Sequence, residues 1–484
     1  MPSIRVMFPN GVSRSSVALG LLLTLLAFPM SAAADAGWER VEDMPTSRET
    51  QGAAVSGGRW FVGGGMSGTA ATLTFPNSVD VFDPVTGHWQ TMAPIKTARS
   101  YLPAATDPTS GNVLFVGGTP PSEFGNIPSG EADFGDGASW SISQLITARF
   151  GHGLAYAAGR FVVCGGWTPS VQLDSAEMLD PTQGTWVPAG TMPGGARSDP
   201  TMTPLSDGRR ILVAGGSRPD GALSSVDIFD VASGTWSRAA DMGTARVRHR
   251  AVLLQDGRVL VAGSVAPLPR LPVVSSAEIY DPAKDMWTPA ASMQQGRWGH
   301  AMERLPDGRV IVAGGTSSLS TEPGALDSVE LYDPKSDTWT TAPSLNDPRV
   351  YLSMAVLSDG VYVTGGENNT SGNPLNGAIS LASTERLAFS VLAINVDAGI
   401  VDGAGGQVGE AEAGVDAVAE SGTPSSPASG STGCSCRIGR ARRPRAPLSL
   451  VALVAVAMLL RRRVPVKDRK QSRRYAIDHL PRHQ

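Results

Sequence analysis

The chain has 484 residues and a formal charge of −4 from 40 basic and 44 acidic side chains. Only 17% of residues are charged while Gly (56) and Pro (36) are abundant, which excludes a coiled coil, a collagen and a wholly disordered chain. Three cysteines cannot build a disulfide scaffold, and the mean charge hides a partition: +2 in residues 1–34, −18 in 35–433 (24 basic, 42 acidic) and +12 in 434–484 (14 basic, 2 acidic).

At the N-terminus, Arg5 and Arg14 precede an apolar run of 12 from Val17 to Phe28, and Ala32-Ala33-Ala34 supplies small residues for cleavage. This is the layout of a secretory signal peptide over residues 1–34, with Ala34 as the processing point. A run of 12 is too short to cross about 30 Å of hydrocarbon.

The middle of the chain is repetitive. Trp38, Trp89, Trp140, Trp186, Trp236, Trp287 and Trp339 recur at intervals of 46 to 52 residues. Each is followed 9 to 11 residues later by an arginine: Arg48, Arg99, Arg149, Arg197, Arg246, Arg297 and Arg349. A diglycine then closes a short β-branched run, at Gly63-Gly64, Gly117-Gly118, Gly165-Gly166, Gly215-Gly216, Gly314-Gly315 and Gly365-Gly366, with Gly263-Ser264 the one degenerate copy. An acid–apolar–aromatic–Asp cluster follows, as in Glu278-Ile279-Tyr280-Asp281, and the next Trp restarts the cycle. Asp207-Gly208, Asp256-Gly257 and Asp307-Gly308 read as hairpin turns between the first two strands of a unit. Asp180-Pro181 to Trp186 and its counterparts join the last two, Pro presetting the turn and Gly or Asp accepting positive φ.

Four antiparallel strands per unit, seven times over, predict an all-β seven-bladed propeller across residues 35–394, with six blades as the alternative if the irregular second unit does not form one. The last unit has no Trp after it, so the strand at Trp38 is expected to complete the seventh blade and close the ring. Glycine pairs inside strands cost stability, which predicts a close backbone approach at each, with an aromatic ring as the expected neighbour. The diglycine–Tyr–Trp pattern resembles the kelch repeat over about 355 residues.

That resemblance implies that the repeated arginines sit at the start of the innermost strands, near the mouth of a central channel, where they contact ligand. Arg48, Arg99, Arg149, Arg197, Arg246, Arg297 and Arg349 are therefore the candidate ligand contacts, guanidinium groups being suited to carboxylates or sulfates. The competing reading neutralises each one with an acid of its own or an adjacent blade. The strand-three acids Asp80, Glu177, Asp227, Glu278, Glu330 and Glu385 recur in the repeat and read as scaffold. The connections between second and third strands vary in length, notably 66–78, 265–275 and 367–383, and 120–137 with Glu131, Asp133 and Asp136; variable loops on one rim are where recognition is expected. His152, His249 and His300 share one repeat position and read as filler, and Cys164 in a buried strand reads as a small apolar group.

After the repeats, residues 395–433 hold six acids, no basic residue and no aromatic, the composition of a linker. Then come Cys434 and Cys436, five arginines between 437 and 445, an apolar run from Ala446 to Leu460 and Arg461-Arg462-Arg463. Fifteen helical residues span about 22 Å, which snorkelling arginines extend toward the membrane thickness; the Arg cluster is expected on the cytoplasmic side. The segment 434–463 resembles the MYXO-CTERM sorting tails of myxobacterial surface proteins, in which the Cys region is the processing and anchoring point. The basic tail 464–484 departs from that pattern, and a plain single-span anchor is the alternative.

These features predict an exported protein of the bacterial cell envelope, anchored or released after C-terminal processing, acting as a protein- or glycan-binding or adhesion module. The alternative is a carbohydrate-active propeller enzyme, similar to a sugar epimerase or mutarotase or to galactose oxidase. Expected partners are a protein or glycan at the loop face, the membrane through the C-terminal segment, and export and sorting proteases. No cofactor, no metal and no catalytic residue is assigned, and −18 on the exported part disfavours nucleic acid.

Overall fold

The computed structural model describes residues 37–69, 72–122, 127–265, 273–317, 324–368 and 379–394. The expected signal peptide with Ala34, the expected linker, Cys434, Cys436, the apolar run and the basic tail lie outside the described residues. Among those described, no helix is long and apolar enough to cross a membrane.

Seven four-stranded antiparallel sheets make seven blades. In blade 4 the order is Thr201–Pro204, Arg210–Ala214, Val226–Asp230, Thr235–Arg238, each strand paired with its predecessor. The first strand of each blade lies toward the axis and the Trp strand outside. The irregular second unit also forms a full blade: Ala104–Thr106, Val113–Val116, Glu131–Gly135 and Trp140–Gln144. Part of 120–137 is therefore a strand and not loop, which removes the six-blade alternative.

The turn chemistry follows the sequence. Gly208, Gly257 and Gly308 take φ of +65°, +85° and +91° in the first hairpins. In the second hairpins the positive-φ slot holds Gly87, Gly184, Gly234, Asp285 or Asp337. Asp83, Asp180, Asp230, Asp281 and Asp333 each accept the backbone N–H two residues on.

There is no single core. Seven apolar clusters lie between neighbouring blades, such as Phe61, Val79, Ile95, Leu102 and Phe115 between blades 1 and 2, and Ile211, Val213, Phe229, Ala155 and Val162 between blades 3 and 4. The Trp strands stitch the outside. In blades 1 and 3 to 6 the Trp sits opposite an apolar residue of strand three, as Trp287 does Tyr280 at 5.1 Å between ring centres. Its indole N–H donates to the preceding blade: Trp236 to Ala189 O (2.6 Å), Trp287 to Ala240 O (2.8 Å), Trp339 to Ala291 O (2.8 Å).

Trp38 makes the seventh such bond, to Pro343 O at 2.9 Å. Its strand, Glu39–Arg40, pairs with Thr384–Ala388 to complete blade 7, in the register Glu39↔Arg386 and Arg40↔Glu385. Arg40 also reaches Asp347 at 2.7 Å. Because Trp38 is buried in the cluster that joins blades 6 and 7, Trp38→Ala is expected to cost about 3–5 kcal/mol in urea unfolding. A loss below 1 kcal/mol would show that the ring is held shut without it.

Candidate functional site

The site is best built outward from the seven repeated arginines. Each lies just before an innermost strand, and all seven are fully buried. In every blade Nη1 donates to the carbonyl of the first residue of the glycine pair, as Arg297 does to Gly314 O (2.9 Å) and Arg349 to Gly365 O (3.0 Å). It also donates to a carbonyl two residues before the strand-three acid, Ser328 O for Arg297 and Ser383 O for Arg349. Nη2 pairs with the acid itself: Arg48 with Asp80, Arg99 with Asp133, Arg149 with Glu177 (2.6 Å), Arg197 with Asp227 (2.5 Å), Arg246 with Glu278 (2.8 Å), Arg297 with Glu330 (2.6 Å) and Arg349 with Glu385 (2.5 Å).

The acid does a second task. It accepts backbone N–H groups of the connection arriving from the previous blade: Lys96, Ile146, Gly194, Gly243, Gln294 and Asn346. The glycine pair meets the next blade in turn. Its second residue donates to the next arginine's carbonyl, Gly118 to Arg149 O (3.0 Å), Gly216 to Arg246 O (2.9 Å), and finally Gly366 to Arg48 O (2.9 Å). A Cβ on the first glycine would come within 2.4 Å of that carbonyl at Gly165 and 2.6 Å at Gly314. The close approach common to the pairs is thus to a backbone carbonyl; the aromatic neighbour expected from sequence is present at some of them, as the imidazoles of His152, His249 and His300 beside Gly117, Gly215 and Gly263 and the Phe115 ring beside Gly63. In blade 1 the pair is Gly64-Gly65, one residue later than the sequence reading placed it.

The arginines are accordingly committed to the scaffold and none is presented to solvent, which corrects their candidacy as ligand contacts. The physical reason is desolvation: a fully buried guanidinium must be matched at once by fixed acceptors and a countercharge. Arg297→Met, leaving Glu330 buried without its partner, is expected to cost about 3–5 kcal/mol in urea unfolding. Pairing it with Glu330→Leu should recover part of the loss; equal or greater loss in the double variant would refute the charge-pair account.

Two residues beyond each arginine the chain turns through a left-handed conformation. Thr50, Tyr101, Gly151, Asp199, Arg248, Gly299 and Tyr351 have φ between +52° and +63°. Such φ costs a residue with a side chain roughly 1–2 kcal/mol, yet only two of the seven are glycine. Strain of this kind collects where side chains are wanted in particular places. The residue preceding each turn pairs with the chain just after the glycine pair, as in Ser100↔Thr119, Phe150↔Trp167, Ser198↔Ser217, Trp298↔Thr316 and Val350↔Glu367. The turns and the bases of the second-to-third loops therefore share one face. Most of the 367–383 and 265–275 connections lie outside the described residues.

At this face the repeat is broken by unlike side chains. Arg248 donates Nη1 to Tyr351 Oη (2.6 Å), and its guanidinium lies 5.1 Å from the centre of the Trp298 ring and 5.9 Å from that of Tyr351. Trp298 and Tyr351 meet edge to face at 5.8 Å. Burial lifts the Tyr101 phenol well above its usual range and the Tyr351 phenol to about 12, so both stay protonated. Burial also raises Asp199, against the pull of Arg248 and Arg250. Arg250 donates Nε to His300 O at 2.8 Å and is exposed.

Below lies an axial cavity of about 270 Å³, lined from all seven blades by residues such as Ala54, Ala105, Leu154, Val252, Met302 and Val356. Glu303 and Arg304 are the charged residues of that lining. Burial pushes Glu303 up to about 8, with Arg250 and Arg304 pulling the other way. A raised carboxyl destabilises the fold as pH climbs from 4.5 towards 8, because the unfolded chain releases a proton that the folded chain retains. Glu303→Gln is therefore expected to raise the melting temperature at pH 9 and to leave it unchanged near pH 4; the reverse pattern would refute the assignment.

The remaining candidates are internal. His152 and His249 are held neutral by burial, their pKa lowered to about 3, and His300 is lowered as well. Cys164 is buried, its thiol pushed up to about 12, with Met202 S at 3.4 Å. Among the described residues no group of three or more His, Cys, Asp or Glu is placed to hold a metal.

The Kelch motif family matches residues 148–193, 202–243 and 306–346, which are blades 3, 4 and 6. Beta-scruin of Limulus polyphemus is 30% identical over 147 residues, 30% of this chain and 16% of its own. Kelch-like protein terF of Aspergillus terreus is 28% identical over 128 residues, 25% of this chain and 28% of its own. Rat Kelch-like protein 7 is 34% identical over 94 residues, 19% of this chain and 15% of its own. The matches thus span less than a third of these relatives' lengths. A fungal alcohol oxidase of the AA5 family, solved in complex with copper, superposes with a TM-score of 0.57 at 16% identity, over 73% of this chain and 76% of that one. That likeness is one of fold. Among the described residues, His152, His249 and His300 pack inside blades 3, 5 and 6 against glycines. The chain is a seven-bladed propeller that carries kelch motifs in blades 3, 4 and 6.

The strand-three acid of blade 2 escaped the sequence reading. Asp133 stands in Asp133-Phe134-Gly135-Asp136, where the spacing of the two acids is kept but the aromatic is displaced by one position. The left-handed slot was missed as well; its signal was glycine at 151 and 299, two beyond the arginine, in a position otherwise filled by unlike residues.

Proposed function

We propose that this protein is an exported, envelope-anchored binding module whose recognition surface is the channel mouth and the loops around it. Kelch propellers generally bind protein partners, and a protein or glycan of the cell surface is the partner class proposed here. One observation carries the reading: what repeats is buried in the scaffold, and what does not repeat gathers on one rim, where Tyr101, Asp199, Arg248 and Tyr351 occupy equivalent strained positions. Export rests on the N-terminal pattern ending at Ala34. Anchoring rests on Cys434, Cys436 and the apolar segment after them, with the acidic propeller outside and the basic tail within. A nucleic-acid partner is not proposed, given the −18 of residues 35–433.

The carbohydrate-active alternative has one observation in its favour. Asp199 and Glu303 are carboxyl groups lifted by burial and lying near Arg250, as general acid–base work requires. Immobilised full-length chain probed with a glycan array and purified envelope proteins, alongside a mutarotation assay, separates the two. For the module, retention without turnover is expected. Replacing the hairpin Ser217–Arg218/Gly221–Ala222 with a plain Gly-Ser turn should cut retention at least about tenfold, a loss of 1.4 kcal/mol, with the melting temperature unmoved. Unchanged retention overturns the rim as the surface, and turnover abolished by Glu303→Gln overturns the module.

A further inference from the structure

The repeated arginines set a standard against which two others stand out. Every one of the seven is closed off by a carboxylate, whereas Arg248 and Arg250 form no ion pair among the described residues. Arg248 spends one N–H on Tyr351 and packs over two aromatic rings, which leaves the rest of its donor fork unused among the described residues. It is held there by a left-handed turn, φ +56°, that a flexible surface arginine would not need. Gly299 in the intervening blade makes room for this: a Cβ there would press on Val350 at 2.8 Å and approach Tyr351 at 3.5 Å, and its absence lets the phenol cross to Arg248. Gly151 leaves a second gap in the ring, beside Asp199.

Around the two cations stand acceptors as well as donors. Asp199 interacts with both arginines and Glu303 with Arg250, at longer range than an ion pair. Burial that keeps Glu303 protonated well past its usual range leaves positive charge in excess at the axis of an otherwise acidic domain. A simple anion would satisfy the arginines and leave Asp199 facing like charge. A neutral polyol would satisfy Asp199 and leave the half-buried Arg248 and the exposed Arg250 without a countercharge. A ligand with both a carboxylate and hydroxyls satisfies each group.

Resting on the binding reading above, we propose that the channel mouth binds a small hydroxy-carboxylate, of the sugar-acid type, with Arg248 receiving the carboxylate and Asp199 accepting a hydroxyl. The same chemistry is offered by a free acid and by the terminal residue of an acidic polysaccharide.

Calorimetric titration of the full-length chain with D-glucuronate, D-glucose and succinate tests this. Glucuronate is expected to bind at least tenfold more tightly than glucose, which lacks the carboxylate, and than succinate, which lacks hydroxyls. Arg248→Met should weaken glucuronate about 10- to 100-fold, as loss of a charged hydrogen bond does, and Asp199→Asn should weaken it while sparing succinate. Arg209→Met, an exposed side chain beside the first hairpin of blade 4 and away from the mouth, is the folded control. Glucose or succinate binding as tightly as glucuronate, or glucuronate binding unmoved by Arg248→Met in a variant of normal melting temperature, overturns the proposal. A glucuronate-terminated oligosaccharide serves as the polymer arm: tighter binding than the monomer assigns the polysaccharide source, equal binding the free acid. If none of these probes binds while the immobilised chain still retains its partner through the rim, this inference fails and the binding module stands.

Discussion

The structure turns on a buried pair, an arginine locked to a carboxylate, repeated seven times. Each pair gathers into one point the carbonyl of a tight glycine turn, a carbonyl ahead of strand three and the N–H groups of the connection from the blade before. Such a pair adds little net stability, since desolvating two ions consumes most of the attraction between them. What it supplies is geometry. A connection with few backbone partners of its own is held as firmly as a strand, and the left-handed turn two residues on inherits that firmness.

From this follows a separation between what holds the ring and what the ring displays. The arginine, its acid, the glycine pair and the Trp are shielded in blade after blade. The slot just beyond them tolerates Gly, Thr, Asp, Arg or Tyr because its backbone is fixed from below. Chemistry can vary there without touching the fold. The apolar clusters each lie between two blades and reach the axial lining through side chains such as Met302 and Val356.

Much of this architecture was legible in the residues. Trp spacing, Asp-Gly hairpins and the orphan Trp38 sufficed for seven blades and their closure, because periodic patterns report local geometry that every copy obeys. The arginines were located with two roles left open, since a ring of guanidinium groups looks the same in sequence whether its countercharges lie beside it or in a ligand; the reading that pairs each with an acid of its own blade is the one the structure shows. Asp133 was hidden by one displaced aromatic, and the triple glycine at 63–65 concealed which two residues make the turn. The mouth cluster was least legible of all. Arg248, Asp199 and Tyr351 belong to different blades and share no motif; only the ring brings them together.

Closure by Glu39–Arg40 against Thr384–Ala388 has a kinetic side. Those partners lie about as far apart in the chain as the propeller allows, and contacts of such separation are slow to form. A chain made or threaded from its N-terminus exposes Trp38 first and its partners in the last blade last. Until residue 388 arrives, the open ring presents an unpaired edge in blade 7 and one bare apolar flank. The closing strand is thus a timer: the ring is complete only when its final blade has emerged, and a chain cut short anywhere before that point carries its own exposed edge as a mark of incompleteness.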